Sequence, residues 1–318
     1  MNLSCVESAT GLFHLEIAMT ELVFATHLGA PGDACMLHTW IDELRQDVNK
    51  MWVHGKSTVK DFRASFDFVN LVLDGYLLAA LANALLSDSS AQERTVDNLE
   101  KVLPDLLQTD RIENNIRELA KFFSRMDRVG EKYRLQKDAN RDLVNENVIL
   151  FVQHVLVLRN FDVAISDGDI GRALVSISYF TVWLQNSNKH LYALEMLRLT
   201  ASLRKIWSPG LAKFYKHNCL VNTCGKKGAF MPDDKLNEFI VGQVKATEYA
   251  HASSDATDFQ HDVRALLTMQ FLDLRESFSS ELGMRLSDFH KSEVSKSTHV
   301  RLIANRLLRM RAFTTEQG

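Results

Sequence analysis

Two carboxylates four residues apart, Asp234 and Glu238, are the side chains whose type and spacing best fit chemistry. Residues at that spacing share one face of a helix, and Lys245 follows about two turns further on. Such a pair can share a divalent cation, Mg²⁺ or Mn²⁺. A two-metal centre normally needs a third carboxylate from elsewhere, for which Asp169 is the candidate. The same acids have a plainer reading. Carboxylates in a first helical turn meet the positive end of the helix dipole, and Asp169 can cap the helix that follows it.

Other chemistry-bearing residues are more widely spread. His217, Cys219 and Cys224 are metal-ligand types, but His-x-Cys-x4-Cys lacks the paired Cys-x2-Cys knuckle of a zinc site, so structural cysteines and no bound metal are expected. His190 and Tyr192 open a helix, with Arg198 further along it, and Lys226 and Lys227 sit in a glycine-bounded turn. An aromatic ring beside basic groups can hold a nucleic-acid backbone, which makes His190, Tyr192, Arg198, Lys226, Lys227 and Lys245 candidates for that role. The alternative for Tyr192 and Arg198 is a core tyrosine beside a snorkelling arginine. His14, after Phe13, reads as a packing histidine or a catalytic one. No P-loop, Gly-x-Ser-x-Gly elbow or His-Glu-x-x-His helix occurs.

Helices must position these groups. Among 318 residues there are 14 glycines and 4 prolines, too few breakers for many short strands. Apolar spacing predicts helices over 12–28, 37–53, 59–86, from the polar loop 87–92 towards Pro104, and near 110–127 and 131–165. Further helices are predicted over 170–185, 189–206, 233–250 and 256–282. Turns fall at 30–33, 166–172, 208–210 and 223–228. At most one short hairpin is expected, around 219–231. The fold expected is all-α: a multi-helix globular bundle, one domain over 11–311, with a short extension at 1–10 and a disordered tail at 312–318.

A net charge of −3 gives no global attraction to nucleic acid, although 117–141 and 285–311 are locally basic. Four cysteines without a dense framework fit a reducing compartment, and the N-terminus lacks a signal-peptide pattern. The apolar run 71–86 carries Asp74 and Asn83, is too short to span a bilayer, and reads as a core helix. An intracellular protein, nuclear or cytoplasmic, with no membrane association is expected.

Four stretches carry a resemblance: GLFHLEIAMTELVFATHLG (11–29), GDIGR (168–172) with FTVW following, NKHLYALEMLRL (188–199), and LVNTCGKKGAFMPDDKLNEF (220–239). In order and spacing they resemble the mainly fungal proteins sharing the domain of unknown function 6589. That family looks transposon-derived, and its longer relatives carry an upstream acidic strand like the first strand of an RNase H-like transposase core. Here Met1 stands just before the Gly-Leu-Phe-His stretch, and Ile240 and Val241 stand where relatives carry Asn after the Glu. The resemblance therefore implies a mobile-element-derived, non-catalytic remnant that binds DNA, RNA or another protein. The alternatives are a metal-dependent nuclease or transposase using Asp169, Asp234 and Glu238, and a purely structural helical scaffold.

Overall fold

A computed structural model of the chain describes residues 10–53, 58–86, 93–106, 143–248 and 293–313. Of these, 74% are helical, and the only strands among them form two two-residue hairpins, so the all-α expectation holds. The predicted helices 110–127 and 256–282, the basic stretch 117–141, and residues 314–318 of the expected tail 312–318 lie outside the described residues, whereas Ala312 is buried and accepts a hydrogen bond from Asn145.

The body is built on three helices: α1 (Leu12–His27), α4 (Phe62–Leu85) and α6 (Leu143–Ser166). All three are apolar on several faces, as helices buried in a core must be. In α1 the buried register is Leu12, Leu15, Met19, Leu22 and Val23, whereas Ala25 is exposed. Both α4 and α6 are long and apolar enough to cross a membrane by length and composition, and about half of each apolar window is buried inside the protein. The run 71–86 thus lies in α4, inside the helix predicted over 59–86, and it is that whole helix, not the run alone, that has the length to span a bilayer.

Local chemistry sets most helix starts. Asp61 accepts from the Ala64 N–H at 3.0 Å to cap α4, and Asp169 accepts from the Arg172 N–H at 3.0 Å to cap α7 (Ile170–Gln185). After α7, a short turn reverses the chain into α8 (His190–Ala201), which continues through a π-helical turn, Ser202–Ile206. Ser208 then caps α9 (Pro209–Asn218), with Pro209 in the first turn. The turn predicted at 208–210 is thus also a helix start, since serine followed by proline is how a helix begins.

The expected helix 37–53 is broken. It splits into α2 (Leu37–Glu43) and α3 (Val48–Met51), because Arg45 takes a left-handed φ of 51° between them. A small hairpin follows, β1 (Trp52–Val53) with β2 (Thr58–Val59), in addition to the one expected. That expected hairpin pairs β3 (Leu220–Val221) antiparallel with β4 (Met231–Pro232) and leads into α10 (Asp233–Glu248).

Two more helices close the body. α5 (Val96–Leu106) and α11 (Glu293–Arg309) lie against α4. Gly75, in the middle of α4, lets α11 approach: a Cβ there would stand 2.5 Å from Ile303 Cγ2. Arg301 of α11 grips Asp97 at 2.5 Å together with Glu100 on α5, and Arg306 pairs with Glu43.

Candidate functional site

α1 begins without a cap of its own, since Gly11 offers no side chain. Asp234, in the first turn of α10, supplies one from 220 residues away. Its carboxylate accepts the Phe13 N–H at 3.1 Å and the His14 N–H at 3.2 Å, and the His14 Nδ1–H at 2.9 Å. Gly11 is required beside it, because a Cβ would overlap the carboxylate. The far nitrogen of the His14 ring stands 3.8 Å from Glu238 Oε1, so the ring lies between the two acids. Lys235 places its ammonium 5.2 Å from the centre of the Phe13 ring, whose edge meets Phe62. The first and fourth stretches of the resemblance are thus one interlocked unit.

Beneath this clasp lies an acid that the sequence reading missed. Glu16 is 2% exposed on α1. Burial pushes its carboxyl up to about 8; the Lys235 cation pulls it down, Asp162 of α6 pushes it up by its charge and by a hydrogen bond, and Arg63 pulls it down. A protonated Glu16 donating to Asp162 satisfies both. A signal was available: Glu16 falls in the buried register Leu12, Leu15, Met19 and Val23, where an acid needs a partner. A second buried polar pair joins α1 to α6: His27 Nε2 and His154 Nδ1 are 3.1 Å apart. One ring must donate and the other accept, and burial, then the neighbouring His154, pushes His27 well below the usual histidine range.

The second stretch joins the fourth elsewhere. Gly168 has φ +76°, and a Cβ there would meet the Phe230 ring at 3.0 Å, while the Phe230 N–H donates to the Ser166 carbonyl at 3.2 Å. Asp169 is occupied as the cap of α7, and Arg172 reaches Asp167 at 2.6 Å. In the third stretch, Lys189 pairs with Glu21 of α1, which also accepts the Val59 N–H at 3.1 Å. Tyr192 packs half-buried against the core, and His190 and Arg198 are exposed. Lys226 and Lys227 are exposed in the β3–β4 turn, which Asn222 pins by accepting the Gly225 N–H at 2.8 Å and donating to the Lys226 carbonyl at 2.8 Å. The Lys245 side chain lies outside the described residues.

Asp234 and Glu238 therefore come together at His14, and Asp169 stands apart at the start of α7 as its cap. Among the described residues, no three His, Cys, Asp or Glu side chains gather closely enough to hold a metal ion. Cys219 is buried, with its thiol pushed up to about 12 by desolvation and by Asp233, whereas Cys224 is exposed and its thiol lies 3.7 Å from Asn222 Oδ1.

A family model described as a family of unknown function, DUF6589, matches residues 1–290. The chain belongs to this family. No curated protein and no solved structure matches it. In DUF6589 terms, the four stretches recognised in the sequence serve the clasp, the helix caps and the turns that hold the body together.

One surface has no such explanation within the fold. On α7, Val175, Tyr179 and Val182 face outward, opposite the buried Ala173, Ile177 and Phe180. On α8, Leu191, Leu194 and Leu197 face outward, opposite Ala193 and Met196. These six are 53–66% exposed. The two helices pack side by side from a shared turn, so the outward strip of α7 and the outward strip of α8 run along neighbouring helices. The result is one apolar ladder across the hairpin. After Arg172, α7 carries no charged residue at all.

Proposed function

We propose that this chain is a non-catalytic helical interaction module that works through the outer face of the α7–α8 hairpin. The observation that carries the reading is the ladder of six exposed apolar side chains on two helices whose other faces are already packed. Contiguous apolar surface of that extent marks a partner site, whereas isolated exposed leucines need no explanation. The carboxylates that a nuclease would use support the same reading. Asp234 is occupied by α1 and Asp169 by α7, which leaves Glu238 without two acids to bridge an ion pair.

The apolar face fits a protein partner better than a nucleic-acid backbone, and the basic helix α11 does not offer its Arg301 or Arg306 to phosphate. Among the basic residues of α11, Arg301 is spent on Asp97 and Glu100, and Arg306 on Glu43. Phosphate binding needs cations that are free to replace counterions. Descent from a mobile-element protein, and an intracellular setting away from membranes, complete the proposal and rest on the resemblance and the cysteine usage.

The test uses an apolar fluorescent dye on the folded chain, diluted until it runs as a monomer. Dye binding that Leu194→Glu removes without changing the melting temperature is the expected result. Absence of dye binding, together with DNA or RNA binding that falls steeply with salt, would reverse the assignment.

A further inference from the structure

We infer that the partner of this face is a second copy of the same chain, docked across a two-fold axis so that two α7–α8 hairpins form a four-helix layer. The inference rests on the interaction reading above and names its partner.

Three observations point to self-association. The first is size. The six outward side chains present on the order of 600 Å² of surface, most of the roughly 800 Å² per partner that a stable interface buries. The second is charge. A two-fold axis brings each patch against its own copy, so charge at its centre would meet itself, and the α7 half of the patch is neutral. Residues 173–185 carry none, and the polar groups among the outward positions, Ser178 and Gln185, are neutral. Arg198 stands on the outward side of α8, one turn beyond Leu194, and is the one cation on that helix. The third is spacing. Val175, Tyr179 and Val182 recur at i, i+4 and i+7, the rhythm of a helix that packs lengthwise on another helix. Antiparallel hairpins stacked face to face make the ordinary four-helix arrangement, with short connections at the ends.

The geometry also predicts which residues lie near the axis. Tyr179 and Leu194 are the middle residues of their two strips, so a two-fold crossing at the centre of the face brings both near the axis.

The experiment is light scattering on the full chain during size exclusion, from about 1 to about 100 µM. The expected mass is twice the 36.1 kDa of one chain. Tyr179→Glu and Leu194→Glu should each weaken dimerisation roughly tenfold or more, with helical circular dichroism unchanged. As a second readout that does not rely on loss, Leu194→Cys in a Cys224→Ser background should give a disulfide-linked dimer under mild oxidation. A monomer at every concentration overturns the inference. So does a dimer that neither glutamate variant weakens and that fails to cross-link through Cys at 194. The dye measurement separates the two readings. A monomer that binds the dye through this face removes the self-partner and keeps the interaction module. A monomer that does not bind it removes both.

Discussion

Asp234 shows how far one side chain can act. It satisfies two of the backbone donors that open α1 and the ring of His14, from the far end of the sequence. Asp234→Ala should cost about 1–2 kcal/mol, the range for losing an N-cap. Gly11→Ala should cost a similar amount, because its methyl group expels the same carboxylate. In the double variant the two losses should not add, and chemical denaturation of all four proteins measures that coupling. A second residue-scale expectation concerns Glu16. Its value is raised from 4.5 to about 8, so between those pH values the folded chain holds a proton that the unfolded chain has lost. Stability therefore falls as pH rises through that window, by up to about 5 kcal/mol. Glu16→Gln should flatten the slope and leave the protein more stable than its parent above pH 8, which thermal melts across the range will show.

At the scale of elements, much was legible in the sequence. The limits of α7 were readable to the residue, because Gly168 and Asp169 announce its start and a polar run follows its end. The hairpin around 220–232 followed from the Gly-rich turn. What could not be read was long-range. No local pattern says that Asp234 caps a helix 220 residues earlier, so its acid pair with Glu238 looked like metal chemistry. Likewise, nothing before residue 75 warns that Gly75 marks a helix crossing. Gly75→Ala should cost about 2 kcal/mol through overpacking against Ile303, despite the better helix propensity of alanine. A calorimetric scan will register a lowered melting temperature.

For the molecule as a whole, the expectation is one of binding without catalysis. With Mg²⁺ or Mn²⁺ and single- or double-stranded DNA, the purified chain should release no cleavage product. The acids are committed to the architecture, and phosphoryl transfer leaves little for the rest of a protein to supply. Cleavage that Glu238→Gln abolishes, with the fold intact, would show that a catalytic centre had assembled by another route.

The crossing of α4 and α11 has a consequence for how the chain is made. Ile303 lies 228 residues after Gly75, so when α4 leaves the ribosome the helix that covers it has yet to be translated. At about 5–20 residues per second, the interval is roughly ten to forty-five seconds. Throughout it, a nascent helix apolar enough to span a bilayer stands partly uncovered beside the emerging polypeptide. Such a segment is a substrate for holdase chaperones, and chains stalled before residue 293 should be captured by them or aggregate, whereas chains released at full length should not.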